Sequence, residues 1–499
     1  MNKKGFTLVE LLAVIAILAI LVIIALPNVI KLYNNAKKNT FLTEVKTIYK
    51  EAATKYITES IKNKKLSYIN SNNKYSLDLD APLDLQYCIN LDNLGNVLNM
   101  SVMNNNYYIE YTESNNISNY ELKDIKERNN KTKMLCSKSD NRVIQVPDKK
   151  ECTSESSNDT YTDGIYTYTY NKDSKGWSVK LTDLESTNPI TEIPCSIINN
   201  KPIISTNSMF MNSKASSIDV SGFDTSNVTD MRNMFYNTAA TEITGLEYLD
   251  TSKVYYMGSM FMNSNTSIAN LSGFDTSKVT DMYKMFHSSK IKNLDLTNLN
   301  TSSLRNFQYM FYNSGVEFID ITGLDTSRIN NMTSLFQSVN ANYIIGLNTI
   351  DTSNVESMHA MFYDSKVLSI DMSDLNTSKV TDMRAMFWRT KANTINISGI
   401  DTSNVTNMGS MFFQSDVSNV IGLNKLNTSK VTNMTSMFYD SKIEYLDLSS
   451  FDMDNVTDTT SMFSFATSKK IYAKSKKEKE IFESSVTQKP SSVIVEIKK

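Results

Sequence analysis

Apolar residues are distributed along this chain in several distinct patterns. An unbroken run from Phe6 to Leu26 carries a single charge, Glu10, and its 21 residues are enough to cross a bilayer, which takes about 20. Beyond it Val45, Ile48, Tyr49, Ala52, Tyr56 and Ile57 recur at three- and four-residue steps among Lys, Glu and Thr, so the helix is predicted to continue to about residue 62. Shorter runs follow, Gln86 to Leu91, Asn96 to Met103 and Tyr107 to Thr112, and these read as strands of a small antiparallel sheet in a part ending near residue 150. The stretch GIYTYTYNKDSKGWSVKL, residues 164–181, alternates on both sides of a polar turn and predicts a hairpin.

From residue 205 the pattern becomes periodic. FDTSNVTDMRNMF (223–235), FDTSKVTDMYKMF (274–286), LNTSKVTDMRAMF (375–387) and IDTSNVTNMGSMF (400–412) are variants of one phrase. Its last Phe falls at 210, 235, 261, 286, 311, 336, 362, 387, 412, 438 and 463, always 25 or 26 residues on, which denotes a stacked array. Within a unit Val228, Met231, Met234 and Phe235 lie at i, i+3, i+6 and i+7, within about 120° on one helical face, so a short helix is expected there. The preceding Asp-Thr-Ser supplies oxygens to cap it. Before the cap, triplets such as Ile218-Asp219-Val220 and Ile370-Asp371-Met372 read as strands with their outer residues turned inward. The three 26-residue steps share ITGLEYLDTS, IIGLNTIDTS and VIGLNKLNTS, which confines the extra residue to the link between strand and cap. Strand, turn and short helix in each unit is the layout of leucine-rich-repeat-like solenoids.

Composition sharpens this organisation. The 499 residues carry a formal net charge of -2, with 21% charged residues and only 14 Gly and 7 Pro, so collagen-like and disordered classes are excluded. A near-neutral balance also argues against a dedicated nucleic-acid binder. No Pro occurs between 203 and 489, where a parallel ladder would need every N–H, and 22 of the 26 Met lie between 209 and 462. Residues 469–499 hold nine Lys and four Glu and read as a basic C-terminal cap for which contact with anionic envelope polymers is a secondary expectation.

The sequence GFTLVE ahead of the apolar run resembles the processing and methylation motif of type IV prepilins and pseudopilins. That resemblance implies cleavage between Gly5 and Phe6 by a prepilin peptidase, methylation of Phe6, and pairing of Glu10 with the terminal amine of a neighbouring pilin subunit. A lone carboxylate in an apolar span costs roughly 2.5–3.5 kcal/mol at its centre, so such a partner answers a physical need. Pro27 matches the position at which the family helix bends. The repeat phrase, in turn, resembles BspA-like leucine-rich-repeat surface proteins of bacteria across about 205–468, which implies an exported, sometimes adhesive protein.

The expected fold class is therefore α+β: a long N-terminal transmembrane or pilin helix with a small antiparallel sheet, followed by a leucine-rich-repeat-like solenoid. Its divisions are a leader 1–5, a helix 6–62 with the membrane span 6–26, a head 63–150, a β-rich bridge and N-terminal cap 151–204, the array 205–468 and the cap 469–499. Cys88, Cys136, Cys152 and Cys195 all follow the span. Two disulfides are possible in three connectivities, joining sequence neighbours being preferred, and four reduced thiols are the alternative. With two His and no CxxC pair, no metal is expected, and no cofactor or catalytic motif is recognised. A column at the strand centre, Asp219, Thr244, Asn270, Asp295, Asp320 and onward, is diluted by neutral residues and reads as a solvated face rather than a calcium row.

A second column follows each marker Phe and includes Tyr363, Trp388, Phe413 and Tyr439, an aromatic ladder able to bind a glycan or protein or, alternatively, to serve as peripheral packing. The function expected is that of a noncatalytic surface protein, a minor pilin or pilin-like adhesin for host, matrix or neighbouring-cell ligands, in the cell membrane and at the surface or pilus. A pseudopilin of a secretion or DNA-uptake system, the one case in which nucleic acid would be a partner, and a membrane-anchored protein that does not polymerise are the alternatives.

Overall fold

A computed structural model describes residues 8–61, 66–71, 76–77, 79, 85–113, 116–129, 132–137, 141–145, 149–154, 159–486 and 493–498, with side chains of the first helix described from residue 31. The chain divides into two compact units.

The first unit contains the helix α1 (Leu8–Ile61) and a five-stranded antiparallel sheet in chain order, Tyr68–Asn70, Gln86–Leu91, Val97–Met103, Tyr107–Thr112 and Lys126–Glu127. Phe41, Val45, Ile48 and Ala52, spaced to share one helix face, are buried. Phe41 meets Tyr107 at 5.9 Å between ring centroids, and Tyr49 meets Tyr111 at 5.2 Å.

The second unit, which includes everything from residue 145 on, begins with a six-stranded mixed sheet containing the hairpin Tyr166–Asn171 and Gly176–Leu181. Its edge passes into the array through parallel bridges, Ile190 to Ile218 and Ser205 to Asp230.

The coil around Phe387 shows how one repeat folds. Thr394–Asn396 pairs in parallel with Ser369–Asp371 on one side and Asn419–Ile421 on the other. A second parallel ladder runs through the single bridges Ser357 to Asp382 to Asn407. Between them lies the segment in which a helix was expected, and its amides alternate in destination. Met383, Ala385, Phe387 and Arg389 donate to the carbonyls of Asn407, Gly409, Met411 and Phe413 in the next coil, at 2.8–3.1 Å. Met386, Trp388 and Thr390 donate to carbonyls three residues back. An α-helix would instead send Phe387 N to Met383 O. Left-handed backbone at Ala385 (φ 55°) and Arg389 (φ 54°) produces the alternation, and the same two positions are left-handed in the other coils. The apolar stripe is still buried, with Val380, Met383, Met386 and Phe387 all at 0% exposure.

The expected fold class is corrected accordingly. The bulk of the chain is a β-solenoid, and the described residues contain two α-helices, α1 and the terminal α2 (Lys476–Ser485), with none in the repeats. The spacing i, i+3, i+6, i+7 suits a helix face and a ladder of turns equally, because both bring those side chains to one side. The transmembrane part of the expectation is corrected too: among the described residues no helix is long and apolar enough to cross a membrane. Phe6 and the side chains of residues 8–30 lie outside them.

Marker Phe rings stack coil upon coil from Phe210 to Phe463, with centroids 5.3–6.0 Å apart and planes within 21°. Phe482 of α2 closes the stack edge-on against Phe463 at 5.6 Å. A buried threonine column runs beside it; Thr377 Oγ1 donates to Asp401 O at 2.8 Å and accepts from Asp401 N at 2.8 Å. In the 26-residue coils the extra residue is Gly245, Gly346 or Gly422, each at φ between 82° and 91° and each opening a short 3-10 turn.

Candidate functional site

In every coil but the last, where Ser464 is buried, the residue after the marker Phe leaves the buried stripe and stands at the edge of the turn ladder. Trp388, for example, donates its amide to Ala385 O at 3.2 Å, and the left-handed Arg389 then turns the chain away. Tyr363, Trp388, Phe413 and Tyr439 are brought together by this repetition. Consecutive centroids lie 5.3, 4.2 and 4.6 Å apart, and each ring is half-buried. Phe465 extends the row edge-on at 5.3 Å from Tyr439 and is 45% exposed. Earlier coils carry a separate pair, His287 stacked on Tyr312 at 4.5 Å. Burial, and then the charge of neighbouring Lys284, hold the His287 pKa below its ordinary value.

Beside Tyr363 and Trp388 lies a depression of about 320 Å³ that also takes in His359 and Arg384. His359 Nδ1 sits 2.9 Å from Arg384 O, and Arg384 Nε lies 3.4 Å from the same nitrogen. These two residues were not singled out from sequence. Three places before each marker the repeats carry Arg232, Gly258, Tyr283 and Gln308 as well, so the column shows no common chemistry.

The column at the strand centre is structural. Asp371 Oδ1 accepts from Ser373 N at 3.0 Å and Asp219 Oδ1 from Ser221 N at 2.9 Å, so each aspartate closes the turn that follows its strand. The Asp of the repeat phrase acts alike: Ser403 donates its amide to Asp401, which with its hydroxyl holds that carboxyl below its ordinary pKa. Burial alone would raise the Asp416 pKa, yet Lys391 and Lys442, one coil to either side, donate to the carboxylate and bring it below the ordinary value. Every described lysine of the basic tail is ion-paired, including Lys469 with Glu444 and Lys470 with Glu496, so the tail offers no free cationic patch among the described residues. Among them, too, no three His, Cys, Asp or Glu side chains converge as metal ligands would.

Cys152, on an edge strand of the mixed sheet, forms a disulfide with Cys195, which lies just before the neighbouring strand Ile197–Ile198, and Cys88 and Cys136 are likewise disulfide-bonded. Gly5 and Phe6 lie outside the described residues; Glu10 lies on α1 with its side chain outside them.

Residues 204–319, 314–422 and 393–484 each match the family described as Mycoplasma protein of unknown function, DUF285, and together they span more than half of the chain. The chain belongs to this family. Its DUF285 repeats, of the BspA-like kind, make up the solenoid, and the aromatic row lies wholly within them. Residues 1–26 match the prokaryotic N-terminal methylation motif, so the DUF285 array is joined to a pilin-like start that implies processing by a prepilin peptidase and surface exposure. No curated protein matches the chain.

Proposed function

We propose that this chain is a noncatalytic surface protein that a prepilin peptidase cuts between Gly5 and Phe6, that enters a pilus-like assembly with Glu10 facing a neighbouring terminal amine, and that presents its solenoid for adhesion. The observation that carries the recognition role is the row of half-exposed rings on successive coils. Aromatic side chains give large contact area at little conformational cost, and they are concentrated where proteins bind partners. A minor rather than a major subunit suits the chain, because a solenoid this large on every subunit would crowd a filament. The partner is a surface ligand, a glycan or a protein.

Shear fractionation with N-terminal mass analysis tests the assembly half. The wild-type chain should appear in the sheared fraction beginning at Phe6. Gly5→Ala should block cleavage, and Glu10→Ala should permit cleavage but keep the chain out of that fraction. A wild-type chain never found in the sheared fraction overturns the reading, and a hydrolytic activity that survives purification overturns its noncatalytic part.

A further inference from the structure

The aromatic row borders a groove whose floor is set by the left-handed residue two places before each marker Phe. In the coils around residues 284 and 309 this residue is large: Lys284 Nζ lies over the rings of Tyr283 and Tyr309, at 5.0 and 5.4 Å from their centroids, and covers the position. Further along it is small, as Ala360, Ala385 and Ser410, and there the depression opens. The floor has no free amides to offer a partner strand, since Ala360, Ala385 and Ser410 already donate to Arg384, Gly409 and Thr435 of the next coil at 2.8–3.0 Å. Recognition in the groove therefore falls to side chains.

Those side chains select a particular chemistry. A neutral sugar packs its C–H face on an open ring face, but in this row the faces are largely used in ring-to-ring stacking, most closely Trp388 on Phe413 at 4.2 Å. What the row turns outward is ring edges, which carry partial positive charge. Arg384 stands in the depression with no ion pair among the described residues, whereas Arg389 nearby faces Asp364 at 3.8 Å and Arg232 is bound to Asp230 at 2.7 Å. Asp382 Oδ1 accepts from the Arg384 amide at 2.9 Å and is not ion-paired with its guanidinium, whose Nε faces His359 Nδ1 at 3.4 Å. A guanidinium without an ion pair beside ring edges is complementary to a carboxylate. Coils spaced by about 4.8 Å place the five rings from Tyr363 to Phe465 along about 19 Å, the reach of about six residues of extended chain.

We propose, resting on the reading of the aromatic row as a ligand surface, that this groove binds an extended acidic polypeptide segment and seats one of its carboxylates on Arg384 between Tyr363 and Trp388. The segment's apolar side chains lie against the ring edges of the coils that follow.

The chain has two tryptophans, and Trp177 is buried with its Nε1 donating to Ile198 O at 3.3 Å, so a ligand-induced emission change reports Trp388. Full-length protein is titrated at low salt with poly-L-glutamate, with polygalacturonate as a carboxylated polysaccharide, and with maltoheptaose as a neutral one. The expected result is a saturable change with poly-L-glutamate that is tighter than with either saccharide. Arg384→Gln should weaken it at least tenfold with unchanged thermal melting, and Arg389→Gln should leave it within twofold. No response to poly-L-glutamate, an unweakened Arg384→Gln variant, or tighter binding of polygalacturonate overturns the proposal. Maltoheptaose binding through Trp388 would also sink it while leaving the row a ligand surface; that broader role fails separately, if ring substitutions leave surface-ligand binding intact.

Discussion

Replacing Gly346 by Ala probes the junction that makes three coils one residue longer. Its backbone is left-handed at φ +83°, and a Cβ there would lie 2.5 Å from Thr322 N and 2.8 Å from Thr322 Cα in the preceding coil. Thr322 cannot retreat freely, because the adjacent Ile321 donates its amide to Ile345 O at 3.0 Å. The left-handed conformation alone costs a non-glycine residue about 1–2 kcal/mol, and forcing a methyl group into a packed site adds about 1–3 kcal/mol, so Gly346→Ala should destabilise by about 2–5 kcal/mol. Gly164 isolates the first contribution: it too is left-handed, at φ +95°, but nothing lies within 4 Å of where its Cβ would be. Gly164→Ala should therefore lose only about 1–2 kcal/mol. Denaturant unfolding followed by circular dichroism gives the two losses, and hydrogen exchange should locate the Gly346→Ala effect in residues 343–351, since coils of an array open locally. Equal losses for the two variants, or exchange raised only elsewhere, would refute the argument that close approach of neighbouring coils demands glycine.

Other coils make related predictions. Thr377→Val keeps the shape of a buried side chain but strands both the N–H and the C=O of Asp401, and a loss of about 1–3 kcal/mol is expected in the same unfolding assay. Phe387→Ala removes a ring stacked between Phe362 and Phe412 at 5.9 and 5.3 Å and should cost about 3–5 kcal/mol, with Phe387→Leu costing less. His287 is held neutral by burial and by Lys284, so its folded pKa lies below the ordinary 6.5. The unfolded chain then takes up the proton first as pH falls, and the stability His287 contributes above 6.5 is lost as pH drops through the lower folded value. His287→Gln should flatten that part of the stability profile; an unchanged slope would contradict the burial of a neutral imidazole.

The repeat was legible because one Phe and its Met and Val companions return at a near-constant step, and buried side chains are chosen by spacing and apolarity whatever the backbone does between them. What spacing left open was the path of the amides. Residues tolerant of left-handed backbone, Asn237, Asn263, Asn313, Asp364 and Asp440, recur two places after the marker and were the available signal that a helix does not form. Column arithmetic likewise found Tyr363, Trp388, Phe413 and Tyr439, since adjacent coils stack equivalent positions. It passed over His359 and Arg384 because that column mixes Gly, Tyr, Gln and Arg, and only the folded coil sets those two beside the rings. The aspartates at the strand centre were visible as a column, yet their role in closing turns depends on backbone amides two residues on, which composition does not reveal. GFTLVE was legible because its residues stand at fixed offsets before an apolar run.

The recognition role of the aromatic row is tested most directly by a binding screen of the full-length chain and its Tyr363→Ser, Trp388→Ser, Phe413→Ser, Tyr439→Ser quadruple variant against immobilised glycans and matrix proteins. If the row is the ligand surface, at least one ligand should bind the native chain and lose more than tenfold in affinity with the variant, while circular dichroism of the two remains superimposable. A ligand bound equally by both, with the solenoid intact, would contradict it.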